Sequence, residues 1–223
     1  MRSGDLAMSD GPRAIDLHGW PRREAFELFR SFDFPYLSLT AEVDVTRLRH
    51  AERNGRPSFT IELVHAIARA ANAVAPFRQR IRGEGVVEHT VVHPSITILA
   101  ENDQFRFCTL PFSDDADAFA SLSSAQIEEA RRTGSIFLEP DRDDFLFMTA
   151  IPWVSFTGFV HPVPLDPPDS VPRFAWGRFR ERDGRVVLPL NVQAHHALVD
   201  GIHVGRFYEC VQGFLDVDPR TSA

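Results

Sequence analysis

The sequence predicts an α/β chain of the α+β kind, with a mixed, largely antiparallel sheet. Three observations predict it. Strand-like and helix-like segments follow one another irregularly rather than alternating, which argues against a doubly wound parallel sheet. Two pairs of strand-like runs are joined by short polar turns, Asn102-Asp103 and Asp183-Gly184, as in antiparallel hairpins. Apolar residues at helical spacing are confined to a few separate segments, which do not alternate regularly with the strands.

The elements follow in chain order. PRREAFELFRSF carries Pro21 at a first helical position and an apolar stripe of Phe26, Leu28 and Phe29. YLSLTAEVDV alternates and is rich in strand formers, so a strand is expected from Tyr36 to Val45. A short helix is expected around TRLRHAERN. In FTIELVHAIARAANAVA, residues Ile61, Val64, Ala68 and Ala71 recur at helical spacing, and the helix must end before Pro76. GEGVVEHTVV, SITILAEN and QFRFCTLPF read as strands, the last two as a hairpin. SDDADAFASLSSAQIEEARRTG reads as a helix, acidic at its start and basic at its end, as the macrodipole favours. DFLFMTAIPWVSF is a strand broken at Pro152, and residues 161–172 are a Pro-rich loop. FAWGRFRERDGRVVLPLNVQ is a hairpin about Asp183-Gly184, followed by AHHALVDG and a last helix, IHVGRFYECVQGFL.

Composition removes several function classes. The chain has 223 residues, 43% of them apolar and 19 of them Phe, which suits one folded domain and not a disordered chain. Its apolar runs fall far short of the ~20 residues that a membrane helix needs. The start, MRSGDLAMSDGPRAIDL, has no signal-peptide pattern, so a cytoplasmic protein is expected. The formal net charge of -7 argues against a nucleic-acid or membrane partner. Cys108 and Cys210 form no Cys-x-x-Cys pair. Every basic side chain is Arg; with no Lys, Schiff-base chemistry and P-loop phosphate binding are excluded.

One cluster carries chemistry: His195 and His196 at the end of the last long strand, then Asp200, Gly201 and His203. Neighbouring strand residues point to opposite faces, so only one histidine of the pair can serve a given site. A His near neutrality can take a proton from a hydroxyl or thiol. Against this stand a core role for both rings and a metal site built from His195, His196, Asp200 and His203. Adjacent strand histidines diverge, and no further ligand cluster is apparent, so no metal is assigned.

PLNVQAHHALVDGIHVGRFYECVQ resembles the signature of the chloramphenicol acetyltransferases of the trimeric type, His-His-Ala-x-x-Asp-Gly-x-His-Val-x-Arg-Phe. WPRREAFELF (20–29), IARAAN (67–72), PFSDDADAF (111–119), AIPWVSFTGF (150–159) and VVLPL fall in the family's order, so the resemblance runs from about Trp20 to Leu215. It implies a two-layer sandwich, related to the dihydrolipoyl acyltransferase core and assembled as a homotrimer with active sites between subunits. It implies an acetyl-CoA-dependent O-acetyltransferase, with acetyl-CoA as co-substrate and no tightly bound cofactor.

By position, the resemblance makes His196 the general base and Thr149 the oxyanion donor, where the family has Ser. It makes Asp200 and Arg22 a structural ion pair, places Trp153 and Arg178 along the coenzyme channel, and assigns Leu28, Phe29, Phe105 and Phe107 to the acceptor pocket. The pair is expected to be buried. The sequence departs from the family at Ala175, commonly Thr, and at position 29, where a phenolic hydroxyl is replaced by Phe. A small, partly apolar acceptor is therefore expected, with chloramphenicol among the candidates. The alternatives are a different, biosynthetic hydroxyl or amine acceptor and a non-catalytic binding module on the same fold. The expected organisation is a flexible leader at 1–14, one acyltransferase domain at 15–218 and a short tail at 219–223.

Overall fold

The computed structural model describes residues 11–53, 58–100, 103–136 and 142–220. It is organised around the long strand β10 (Arg185–His195), whose residues after Arg185 are all buried. A strand buried on both faces reads as a near-continuous apolar run, and VVLPLNVQA is such a run. β10 pairs antiparallel with β2 (Tyr36–Asp44) over nine residue pairs, from Val187 opposite Asp44 to His195 opposite Tyr36. On its other side it pairs antiparallel with β8 (Arg173–Gly177) and β9 (Arg180–Arg182). β7 (Phe145–Ile151) runs parallel to β8 and to β5 (His93–Leu99), and β6 (Phe105–Thr109) closes the edge antiparallel to β5. The main sheet thus has the order β2-β10-β8-β7-β5-β6 and is mixed, with more antiparallel than parallel pairings.

The Asp183-Gly184 turn has φ of 53° and 76°, both left-handed, as a two-residue primed turn requires. Of the other turn, Asp103 is left-handed (φ 58°), and Asn102 lies outside the described residues.

Helices cover one face of the sheet. Ile96, Met148, Phe174 and Val192, side by side across β5, β7, β8 and β10, are all buried on that face. Against them lie α3 (Phe59–Ala73) and α5 (Gly201–Asp216), with α1 (Arg23–Phe29), α2 (Thr46–Arg53) and α4 (Ala116–Thr133) around them. The Phe207 ring of α5 lies tilted at 5.2 Å from Phe174 and 5.3 Å from Phe77, joining the helical layer to the sheet. At the start of α4, the Asp115 carboxylate accepts from the backbone N–H groups of Asp117 and Ala118, which satisfies two orphan donors.

On the opposite face, the segment after β7 folds back over β10. The Phe159 carbonyl accepts from the Ser38 hydroxyl at 2.8 Å, and the Gln193 side chain accepts from the His161 N–H at 2.7 Å. The fold-back requires glycine at position 177. A Cβ there would sit 2.6 Å from the Val154 carbonyl oxygen and 2.8 Å from the Pro189 ring.

Three features differ from the sequence reading. Helix α1 begins at Arg23, not Pro21, because Arg22 occupies the N-cap with its side chain drawn into the turn after β10. GEGVVEHTVV yields only β4 (Gly85–Glu88), in a second, three-stranded sheet β1-β4-β3 with β3 (Gln79–Arg82) and β1 (Arg13–Ala14). Arg13 and Ala14 are therefore paired strand residues and not part of a loose leader; residues 1–10 of that leader and 221–223 of the tail lie outside the described residues. The third is Arg80 of β3, fully buried and bonded to the carbonyls of Phe77, Gln79, Asp143 and Phe145.

Candidate active site

The turn after β10 separates the two adjacent histidines. The His195 ring points inward, 1% exposed, edge-on to Tyr36 at 5.3 Å. Its Nδ1 accepts the Ala197 N–H at 3.3 Å, so Nε2 carries the ring proton. Burial lowers its pKa to about 4. The basic nitrogen of His195 is thus occupied by its own backbone and faces no substrate.

His196 is the opposite tautomer. Its Nδ1 lies 3.1 Å from the Val199 carbonyl oxygen, and a carbonyl can only accept, so Nδ1 carries the proton and Nε2 keeps the lone pair. The ring is half-buried and stacks on Phe29 at a centroid distance of 3.8 Å and an interplanar angle of 11°. Ring contact and hydrogen bond together fix the direction of Nε2.

Arg22 holds the turn from outside. It donates to the His196 carbonyl at 2.7 Å and the Ala197 carbonyl at 3.2 Å, and it meets Asp200 at 3.3 Å. Asp200 is 48% exposed on its side chain, so the pair is not the buried one that the sequence suggested. The two carbonyl bonds carry the larger part of the positioning, because an exposed ion pair contributes little. Asp200 also caps α5, accepting from Gly201 N–H, and that bond is the largest cause lowering its pKa. His203 completes a capping box: its Nδ1 accepts the Asp200 N–H at 2.9 Å, in the place where Glu or Gln is usual. The spacing Asp200-x-x-His203 is the trace of this role in the sequence.

Burial lowers the pKa of four histidines, His65, His161, His195 and His203, with His161 and His195 near 4. Their folded values lie below the ordinary value of about 6.5, so the unfolded chain binds more protons in the window between. Stability is fully present above about pH 6.5 and falls as pH drops toward 4. His161 and His195 should cost roughly 2–3 kcal/mol apiece by pH 4.5. Urea unfolding measured from pH 7.5 to 4.5 should show this decline; a flat profile would mean that both rings accept protons while folded.

Thr149 sits mid-way along β7, half-buried, with its Oγ1 3.4 Å from the Thr97 Oγ1 on β5. Phe107 pairs with Thr97 across β5 and β6, stands edge-on to Phe105 at 5.6 Å and lies 6.1 Å from Phe147. Thr149, Phe105 and Phe107 therefore form one cluster, a hydroxyl on an aromatic floor. Trp153, 67% exposed, and Arg178 flank the fold-back at Gly177, where the Arg178 N–H donates to the Val154 carbonyl at 2.8 Å. His196 and Phe29 form the other cluster, and Leu28, next to Phe29 on α1, is exposed.

The two clusters do not meet within one chain. Thr149 is in register with Ala175, and Ala175 with Asn191. Two strand spacings, plus the four residues from Asn191 to His195, separate the Cα atoms of Thr149 and His195 by about 16 Å. Leu28 and Phe29 thus lie apart from Phe105 and Phe107, and the four acceptor-pocket candidates make no single pocket in one copy. Among the described residues, no group of three or more His, Cys, Asp or Glu side chains is placed to hold a metal ion, and His195 and His196 face apart. No helix among them is long and apolar enough to cross a membrane.

A family model described as chloramphenicol acetyltransferase matches residues 12–212. The chain is similar to a chloramphenicol acetyltransferase of Streptomyces acrimycini, with 34% identity over 93% of this chain and 96% of the relative. It is also similar to one of Klebsiella sp, with 29% identity over 92% and 94%. A solved chloramphenicol acetyltransferase structure superposes with a TM-score of 0.85 at 29% identity, covering 92% of this chain and 100% of that one. A probable dihydrolipoamide acetyltransferase from Listeria monocytogenes, 17% identical over 93% and 94% of the two chains with a TM-score of 0.63, shares the fold.

Proposed function

The chain belongs to the chloramphenicol acetyltransferase family and is an acyltransferase, and from that premise we propose that it transfers acetyl from acetyl-CoA to a hydroxyl of a chloramphenicol-like acceptor, with His196 as the base. The observation that carries the reading is the contrast between the paired histidines. Of the two, only His196 has its Nε2 lone pair free of a backbone partner, with its ring held by the Nδ1 bond to Val199 and by the face of Phe29.

In this reading the acceptor O–H gives its proton to His196 Nε2 as the oxygen attacks the thioester carbonyl. The C–O bond forms, and the carbonyl oxygen becomes an oxyanion that receives the Thr149 hydroxyl hydrogen bond. Collapse breaks the C–S bond, and the proton on His196 passes to the departing thiolate. Holding both substrates in line supplies as much of the acceleration as the base. Trp153 and Arg178 are suited to the coenzyme: an exposed indole for packing and a guanidinium for phosphate. Because Thr149 lies about 16 Å along the sheet of one chain from His195, the residue before the base, the reading includes a homotrimer in which each site takes its base from one copy and Thr149 from the next. A single acyltransferase domain and a cytoplasmic setting complete it.

Release of free thiol from acetyl-CoA, followed across chloramphenicol, compact aromatic alcohols and aminoglycosides, tests the function. Turnover is expected with chloramphenicol or a compact, partly aromatic alcohol. A polycation should not react, since Phe29, Phe105, Phe107 and Leu28 offer it no carboxylate. Absence of thiol release with every hydroxyl and amine tried would overturn the reading in favour of a non-catalytic module.

A further inference from the structure

We infer that Thr97 is a positioning residue that commits the Thr149 hydroxyl to the oxyanion; this rests on the role proposed for Thr149. A threonine hydroxyl has one proton to donate and two lone pairs that accept. A lone hydroxyl on an aromatic floor can rotate its proton toward any acceptor, including a neighbouring carbonyl. Thr97 lies beside Thr149 on the adjacent strand, with 3.4 Å between the two Oγ1 atoms. Around the pair on this face of β5, β7, β8 and β6, Phe107, Phe147 and Ala175 cannot hydrogen-bond through their side chains, and the Ser95 hydroxyl, two residues along β5, has no hydrogen-bond partner among the described residues, which leaves Thr97 as the side-chain partner of Thr149.

The separation is long for an O–H···O bond, as catalytic contacts often are before substrate arrives. An oxyanion at Thr149 selects one arrangement: Thr149 donates outward and Thr97 donates to Thr149. Donation in series polarises both bonds, so the second hydroxyl strengthens the first as a donor. The β-branch restricts χ1 of both residues, which keeps the two oxygens facing each other.

Thr97→Val keeps the shape and removes the hydroxyl. It should lower kcat about tenfold while leaving KM for acetyl-CoA within about twofold of the parent. Thr97→Ser should restore most of the loss. In the Thr149→Val background, Thr97→Val should cost nothing further, since the donor that it positions is already gone. Parent-like activity in Thr97→Val alongside a strong loss in Thr149→Val would overturn this inference and leave the Thr149 role standing. A silent Thr149→Val would remove the Thr149 role itself. Equal losses for Thr97→Val in both backgrounds, or failure of Thr97→Ser to recover activity, would mean that Thr97 acts only in packing.

Discussion

Replacing His196 by Ala should lower acetyl transfer by at least ~10³-fold, with little effect on folding. The ring is half-buried, and its contacts are one bond to the Val199 carbonyl and the face of Phe29, so its removal frees one carbonyl acceptor and orphans no N–H donor. What is lost is the Nε2 lone pair. Without it, the acceptor hydroxyl must attack with its proton still on or give it to water. His195→Ala should have the opposite profile. That ring fills a buried site against Tyr36 and accepts the Ala197 N–H, so its loss opens a cavity and orphans a buried donor, at about 1–3 kcal/mol for the donor alone. The expected result is a lowered melting temperature with substantial turnover at temperatures where the protein remains folded. Steady-state kinetics and thermal unfolding on the two variants separate the roles. Equal, modest kinetic losses from both would mean that the tautomer assignment does not identify the base.

The sequence carried the parts of the fold that local chemistry dictates. Asp183-Gly184 predicted a turn because both positions must adopt positive φ, and both do. The VVLPL run of β10 read as a strand, and the acidic start and basic end of α4 read as a helix, as they prove to be. The second sheet was not visible, because β1 and β3 are two and four residues long and their register depends on neighbours distant in sequence. Arg80 was invisible as a core residue because its partners are backbone carbonyls, which every sequence has.

The same division holds at the site. The histidine pair, Asp200 and Arg22 could be picked out by residue type and spacing, and the meeting of Arg22 with Asp200 needed only the fold. The exposure of that pair, the opposite tautomers of the two histidines and the contact of Thr97 with Thr149 depend on which way side chains turn. Spacing along the chain says nothing of that. Nor could the sequence divide the aromatic candidates between Phe29, stacked on His196, and Phe105 and Phe107, on the far edge of the sheet.

The largest expected effect comes from that division. His196→Ala and Thr149→Val should each be nearly inactive alone: the first lacks the base, and the second loses about 10²–10³-fold with the oxyanion donor. Unfolded together in equal amounts and refolded, the two should regain about a quarter of the parent activity, in a cyclic trimer with one site at each subunit interface. The number follows from the geometry. In either mixed trimer, one interface takes His196 from the Thr149→Val copy and Thr149 from the His196→Ala copy, and that interface has both groups. Three-quarters of randomly assembled trimers are mixed, and one site in three of each is intact, about a quarter overall. A rise of about 10²-fold over either variant alone would follow. The control is the double variant refolded with the parent; there each mixed trimer keeps a site only where both groups come from parent copies, and activity should drop below the parent's share of subunits. If the mixture of single variants stays as inactive as its components while the refolded parent recovers, base and oxyanion donor belong to the same copy. The chain would then have to bend its sheet by about 16 Å to bring them together, which the continuous pairing of β7, β8 and β10 does not permit; the assignment of Thr149 would fall, and another donor near His196 would be required.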